Sequence, residues 1–210
     1  MSAGERAEHP WLHLLPEPDS EKASRFHRVA WAVAVSLLRR GPESLRIAEV
    51  ARRAGVSRAW IYKYLGLDRD ALLAFTVGLY ARAFGAPLDG DLDTFERLRL
   101  GTRKGLDDLL AAPWCVLVYV RYRHARGPLG DAIRAAMAAQ ADDLAARLPG
   151  RLRGDRGLAL VFESARLGLY HEWLDPLVRA QVDPDRAVDH LLAMLGPAPV
   201  PPSTGPVDVR

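Results

Sequence analysis

One cysteine in 210 residues rules out an intramolecular disulfide, and with it any cysteine-rich zinc site. Cys115 sits in the apolar run from Trp114 to Val120, where a small buried hydrophobe is its expected role. No run of about 18 apolar residues occurs, so no segment reads as a membrane span. The patch Trp11-Leu12-His13-Leu14-Leu15 is too short for a signal peptide, and a cytoplasmic protein is expected. Strand signals are equally scarce, because no stretch alternates Val, Ile or Thr with polar residues. Catalytic signatures are missing as well: there is no glycine-rich phosphate loop and no nucleophile elbow. The six histidines are scattered without ligand spacing, and His171-Glu172-Trp173-Leu174-Asp175 lacks the second His of a zinc metalloprotease. These absences point away from an enzyme and imply neither a metal nor an organic cofactor.

What remains is a chain with 49% hydrophobic and 26% charged residues, dominated by Ala, Leu and Arg, which favour helix. The expected fold class is all-α. Acidic residues are themselves nearly absent from one segment. Between Lys22 and Tyr64 ten Lys/Arg face only Glu43 and Glu49, a net charge of +8, whereas residues 65–210 carry −1. A cationic module joined to a nearly neutral one suits a polyanionic partner for the first module alone, although a solvated basic face gives the same composition.

Apolar spacing and caps predict helices over 21–39, 47–54, 58–65, 68–84, 93–111, 114–124, 129–147, 155–174 and 184–195. In the first, Phe26, Val29, Ala30, Val33 and Leu37 make one stripe, ended by Gly41-Pro42. The last is capped by Asp183, with Pro184 at its first position and Gly196-Pro197 after it. The expected organisation is an N-terminal arm (1–20), a helix-turn-helix domain (21–75), a ligand-binding and dimerisation domain (76–196) and a Pro-rich tail (197–210) without a core of its own.

The informative segment runs from Ile47 to Tyr64. Two short helices meeting steeply need a small residue at their contact, which Ala51 supplies, and a sharp turn four residues on, which Gly55 permits. Val50, Ala54, Val56 and Ile61 fall where a small core needs apolar groups, and Ser57 is placed to cap the second helix. Helical spacing turns Ile61 and Leu65 inward and leaves Arg58, Ala59, Tyr62 and Lys63 outward. In a helix-turn-helix that outward face enters the major groove. Arg58 can pair with guanine and Ala59 can touch a thymine methyl, while Tyr62 and Lys63 suit phosphate oxygens. Tyr62 as a surface aromatic, and Arg52 and Arg53 as solvated charges, are the plainer readings.

The stretch from Phe26 to Phe75 resembles the DNA-binding domain of the tetracycline-repressor (TetR) family. The resemblance rests on Val50-Ala-Arg-Arg-Ala-Gly-Val-Ser57, on Ile61-Tyr-Lys-Tyr64, and on Asp68-Arg-Asp-Ala-Leu-Leu73. It implies a DNA-contacting set of Arg46, Ser57, Arg58, Ala59, Trp60, Tyr62, Lys63 and Tyr64. Three features depart from the family pattern, one being a turn from Tyr64 to Asp68 that is one residue longer than usual, with Leu65 replacing a common Phe. Arg46 stands where a Thr commonly caps the first short helix, and Trp60 replaces a small hydroxyl residue that contacts phosphate. Trp60 either stacks on the sugar-phosphate backbone or packs on the domain surface.

The resemblance also implies that residues 76–196 form a helical bundle that dimerises and encloses a small-molecule cavity. Independently, residues 157–174 are apolar on nearly every face and require cover on several sides. With Val188, Leu191, Leu192 and Leu195, they suggest a homodimer interface through about 155–174 and 184–195. The candidate effector-binding residues are Tyr119, Arg123, Phe162, Arg166 and Tyr170. Glu163, Arg166 and Tyr170 share a helix face, either as a polar patch in a cavity or as a surface ion pair. Tyr119, Tyr122, Arg123 and His124 divide between pocket wall and bundle surface, while Trp114, Phe162 and Trp173 suit a core. The expected function is a DNA-binding transcription regulator, a repressor released when an unidentified small molecule shifts helix 68–84. The rivals are a helix-turn-helix protein acting through protein contacts without DNA binding, and a helical-bundle enzyme.

Overall fold

The computed structural model describes residues 20–66, 68–84 and 92–196, and among them every regular element is helical. The expected N-terminal arm up to residue 19, the loop 85–90 and the tail from 197 lie outside the described residues.

Helix α1 (Glu21–Arg40) begins where the Ser20 side chain accepts the Ala23 N–H at 3.1 Å. It ends where the Gly41 N–H returns to the Leu37 carbonyl at 2.9 Å, with Arg39 and Arg40 in its negative last turn. Its buried face (Ala23, Val29, Ala30, Ala32, Val33, Ala34, Leu37) is rich in alanine, which lets neighbouring helices approach closely. Phe26, expected in that stripe, is only half-buried. α1 packs against α2 (Ile47–Ala54), α4 (Arg69–Phe84) and α6 (Trp114–Tyr122), and so joins the head to the body. Two body side chains fasten its C-terminal carbonyls: Arg121 donates to Leu38 O and Tyr122 Oη to Leu37 O, each at 2.7 Å.

The body adds α5 (Thr94–Ala111), α7 (Pro128–Arg147), α8 (Arg156–Glu172), α9 (Pro176–Gln181) and α10 (Pro184–Leu192). α4 lies along α7, α7 along α8, and α10 along α5. Aspartates set the helix starts. Asp68, Asp93, Asp155, Asp175 and Asp183 each accept a backbone N–H two or three residues on, at 2.7–2.9 Å. Cys115 is fully buried, as expected.

Two expectations need correction. Helix α8 stops at Glu172, and a separate helix, α9, follows from Pro176. The residue before a proline avoids the helical region, and Asp175 is extended at φ −74°, ψ 121°. The Val188, Leu191, Leu192 and Leu195 stripe is buried within its own chain, 0–9% exposed, because α10 packs on α5 and α8. That stripe is therefore not free to cover a second subunit.

Candidate nucleic-acid interface and effector cavity

The turn between α2 and α3 (Arg58–Leu65) explains its residues one by one. Ala51 is buried at the crossing, and Gly55 is left-handed at φ 66°, ψ 36°. A Cβ on Gly55 would meet nothing within 4 Å, so backbone conformation, not space, selects glycine there. The Val56 N–H closes the turn onto Ala51 O at 3.0 Å, and Ser57 Oγ accepts the Trp60 N–H at 3.1 Å. Val50, Ala54, Ile61 and Leu65 are buried and fix the rotation of α3.

That rotation exposes Arg58, Ala59, Tyr62 and Lys63 together, with Tyr62 38% exposed. Trp60 faces the other way. Its ring lies 5.0 Å from Phe26 and 5.0 Å from Tyr64, and Phe26 continues to Phe75 at 5.4 Å. In the structure Trp60 packs on the domain surface. Tyr64, 39% exposed, ends this aromatic row and carries the ammonium groups of Lys22 and Lys63 over its ring at 5.3 and 5.1 Å. Arg46 is exposed at the start of α2, where it makes no side-chain cap. Its guanidinium instead donates to Glu43 O at 2.9 Å and Leu45 O at 3.2 Å. An arginine has no acceptor to offer an N-terminal N–H.

The head's few acids are engaged by its cations. Glu49 pairs with Arg40 and Arg53, and Glu43 with Arg69 at 2.8 Å. Hydrogen bonding from Arg40 holds the Glu49 carboxyl below its ordinary range. Arg28, which sequence reasoning counted only as a charge, has a structural task. Its Nε donates to Ala54 O at 3.0 Å, capping the C-terminus of α2, while its Nη atoms reach Ser24 and Glu21. Only the fold brings residues 28 and 54 together, so no local signal reveals this contact.

In the body, Tyr119, Met137, Gln140, Glu163, Arg166, Leu167 and Tyr170 line a small cavity among α6, α7 and α8. Its free space is about 10 Å³, room for one water molecule. Of the expected lining residues, Tyr119, Arg166 and Tyr170 meet here. Phe162 is fully buried in the core and Arg123 is half-buried, and neither reaches the cavity. Leu167 of α8 was not anticipated, nor were Met137 and Gln140 of α7, a helix with no apolar stripe that would mark its inward face.

Glu163 and Arg166 form a buried ion pair, 6% and 7% exposed, and not the surface pair their spacing also allows. Burial alone would lower the Arg166 pKa, but the adjacent Glu163 carboxylate outweighs it and holds the guanidinium above its ordinary range. Burial pushes the Tyr119 and Tyr170 phenols up. A Cβ on Gly105 of α5 would lie 2.3 Å from Tyr170 Oη, so glycine makes room for that ring. Two cavity residues also hold α4. Tyr119 Oη donates to Val77 O at 3.0 Å, and Gln140 Nε2 to Ala81 O at 2.7 Å.

Among the described residues no group of three His, Cys, Asp or Glu could hold a metal ion, and no helix is long and apolar enough to cross a membrane. A three-helix head with a helix-turn-helix is set on a helical body with a small cavity among α6, α7 and α8. Solved structures share the fold. A Rhodococcus sp. protein assigned to the TetR family of transcriptional regulators superposes at a TM-score of 0.62 and 21% identity, covering 81% of this chain and 96% of its own. The fatty acid degradation regulator FadR from Bacillus halodurans matches at 0.57 and 15%, covering 82% and 95%. NalD of Pseudomonas aeruginosa, the secondary repressor of the MexAB-OprM multidrug efflux pump, matches at 0.52 and 20%, covering 84% and 96%. No family model and no curated protein sequence matches the chain. The chain has the TetR-family fold.

Proposed function

We propose that this chain is a homodimeric, cytoplasmic TetR-type transcription regulator that binds duplex DNA through α3 and is released from it by a small molecule. One observation carries the reading: Arg58, Ala59, Tyr62 and Lys63 share the exposed face of a helix whose opposite face, Ile61 and Leu65, is locked into the head. Arg58 and Ala59 are the base-reading residues, and Tyr62 and Lys63 the phosphate contacts that set register. Ser57 and Trp60 act through the fold, as a cap and as a buttress for Tyr64. Tyr64 in turn holds Lys22 and Lys63 together at the head's surface, and Arg46 adds an exposed charge at the start of α2. The likeness in fold to solved regulators, NalD a repressor among them, supports the same reading.

The effector site is the cavity bounded by Tyr119, Arg166 and Tyr170. The dimer forms on the outward face of α8, where Val161 is 54% exposed between the small residues Gly157, Ser164 and Ala165. Two heads then reach half-sites one helical turn apart.

The test is titration of the protein's own upstream region, followed by fluorescence anisotropy at several salt concentrations. Wild type should bind with a steep salt dependence, and Tyr62→Ala and Lys63→Ala should each bind more weakly. Equal binding by all three proteins would refute the assignment of α3. Binding that is indifferent to salt would favour the rival in which the head meets a protein.

A further inference from the structure

The cavity has two properties that together define what it can accept. It is electrically balanced, because the charged groups facing it are the paired Glu163 and Arg166, both buried. An anion that claimed Arg166 would leave the Glu163 carboxylate unpaired in the interior. A cation that claimed Glu163 would leave a buried guanidinium that cannot lose its proton. An uncharged guest disturbs neither. Of the cavity's uncharged donors, besides the Tyr170 phenol, two hold α4: Tyr119 Oη donates to Val77 O and one N–H of Gln140 Nε2 to Ala81 O.

Those two carbonyls differ in what they lose when the donors leave. Val77 lies inside α4, so its carbonyl also serves the helix's own N–H four residues on. Ala81 lies in the last turn, where carbonyls lack such partners, and Gln140 supplies one. A guest offering an acceptor therefore takes Tyr119 at little cost to α4. Taking Gln140 as well frees the end of the helix that carries the head. Met137, flexible and apolar, is the wall that can yield to admit it.

We propose that the cavity binds a small uncharged molecule through a hydrogen-bond acceptor, which draws Tyr119 and Gln140 from the α4 carbonyls and so unlatches the DNA-reading head. This rests on the reading of the protein as an effector-released regulator. The apolar remainder of the guest lies against Met137 and Leu167. Tyr119 and Gln140 are positioning residues that couple the cavity to α4.

The full-length protein carrying Tyr119→Phe and Gln140→Leu imitates the unlatched state without any guest. Amide hydrogen exchange over residues 77–84 should quicken about tenfold while α3 keeps its protection, and the DNA dissociation constant should rise about tenfold. Faster exchange with unchanged DNA affinity would make the two bonds merely structural, and unchanged exchange would remove the latch altogether. Wild type that binds no duplex DNA refutes the regulator reading instead, and the exchange measurement then decides the latch alone. For the guest, acetophenone, benzoate and benzylamine present an uncharged acceptor, an anion and a cation on one ring. Acetophenone should raise the wild-type melting temperature and weaken DNA binding. No rise with acetophenone, or an equal rise with either charged probe, overturns the ligand class.

Discussion

On α3, neighbouring side chains divide into those proposed to read DNA and those that pack on the head. Arg58 has a flat fork of donors suited to guanine, whereas Lys63 is a point charge beside Tyr64. Arg58→Ala should therefore relax preference at one base pair, losing about 1–3 kcal/mol of discrimination, as measured by competition among operator variants. Lys63→Ala should weaken all sequences alike and reduce the salt slope by about 1, read from anisotropy titrations. Trp60 predicts the opposite pattern. Its ring packs at a tilt against Phe26 and Tyr64, so Trp60→Ala should lower stability by about 1–3 kcal/mol, seen as a fall in melting temperature. The relative preference among operators should stay as in wild type. The outward set and the inward pair of α3 were legible because helical spacing alone separates them. Trp60 was not, since the same spacing leaves an amphipathic ring free to turn either way, and only its contact with Phe26 on another helix decides.

Helix boundaries show the same division between local and distant causes. The cap of α10 by Asp183 and Pro184 was readable, and the equivalent pair Asp175-Pro176 carried the same signal for α9. It was overlooked because the apolar pattern of α8 runs through Trp173 and Leu174 and hides the break. The α2–α3 corner depends on one local and one distant device. Gly55→Ala places a Cβ in left-handed backbone and should destabilise the head by about 1–2 kcal/mol, measured by urea denaturation. Arg28→Met keeps most of the side-chain stem but removes the donor to Ala54 O. It should cost about 1 kcal/mol and loosen the end of α2, detectable as faster amide exchange around residues 52–56.

For the whole molecule, charge is sorted along the chain. The segment from Lys22 to Tyr64 concentrates cations, with its two acids, Glu43 and Glu49, already paired, and residues 65–210 are nearly neutral. The charge division was visible in the sequence, as was the all-helical class. What the sequence left undivided was the apolar surface of the body, because a stripe reads the same whether its own chain or a partner covers it. The fold assigns Val188, Leu191, Leu192 and Leu195 to the chain's own core and leaves Val161 outside. Proposed dimerisation therefore rests on α8. Val161→Arg would set two guanidinium groups against each other near a two-fold axis, where each would lose water without gaining an acid. The variant should sediment as a monomer with wild-type helicity by circular dichroism. It should also lose more than tenfold in DNA affinity, since one head then binds without the second half-site. A Val161→Arg protein that sediments as a dimer places the contact elsewhere on the body, and one that is monomeric yet binds DNA undiminished shows that a single head suffices.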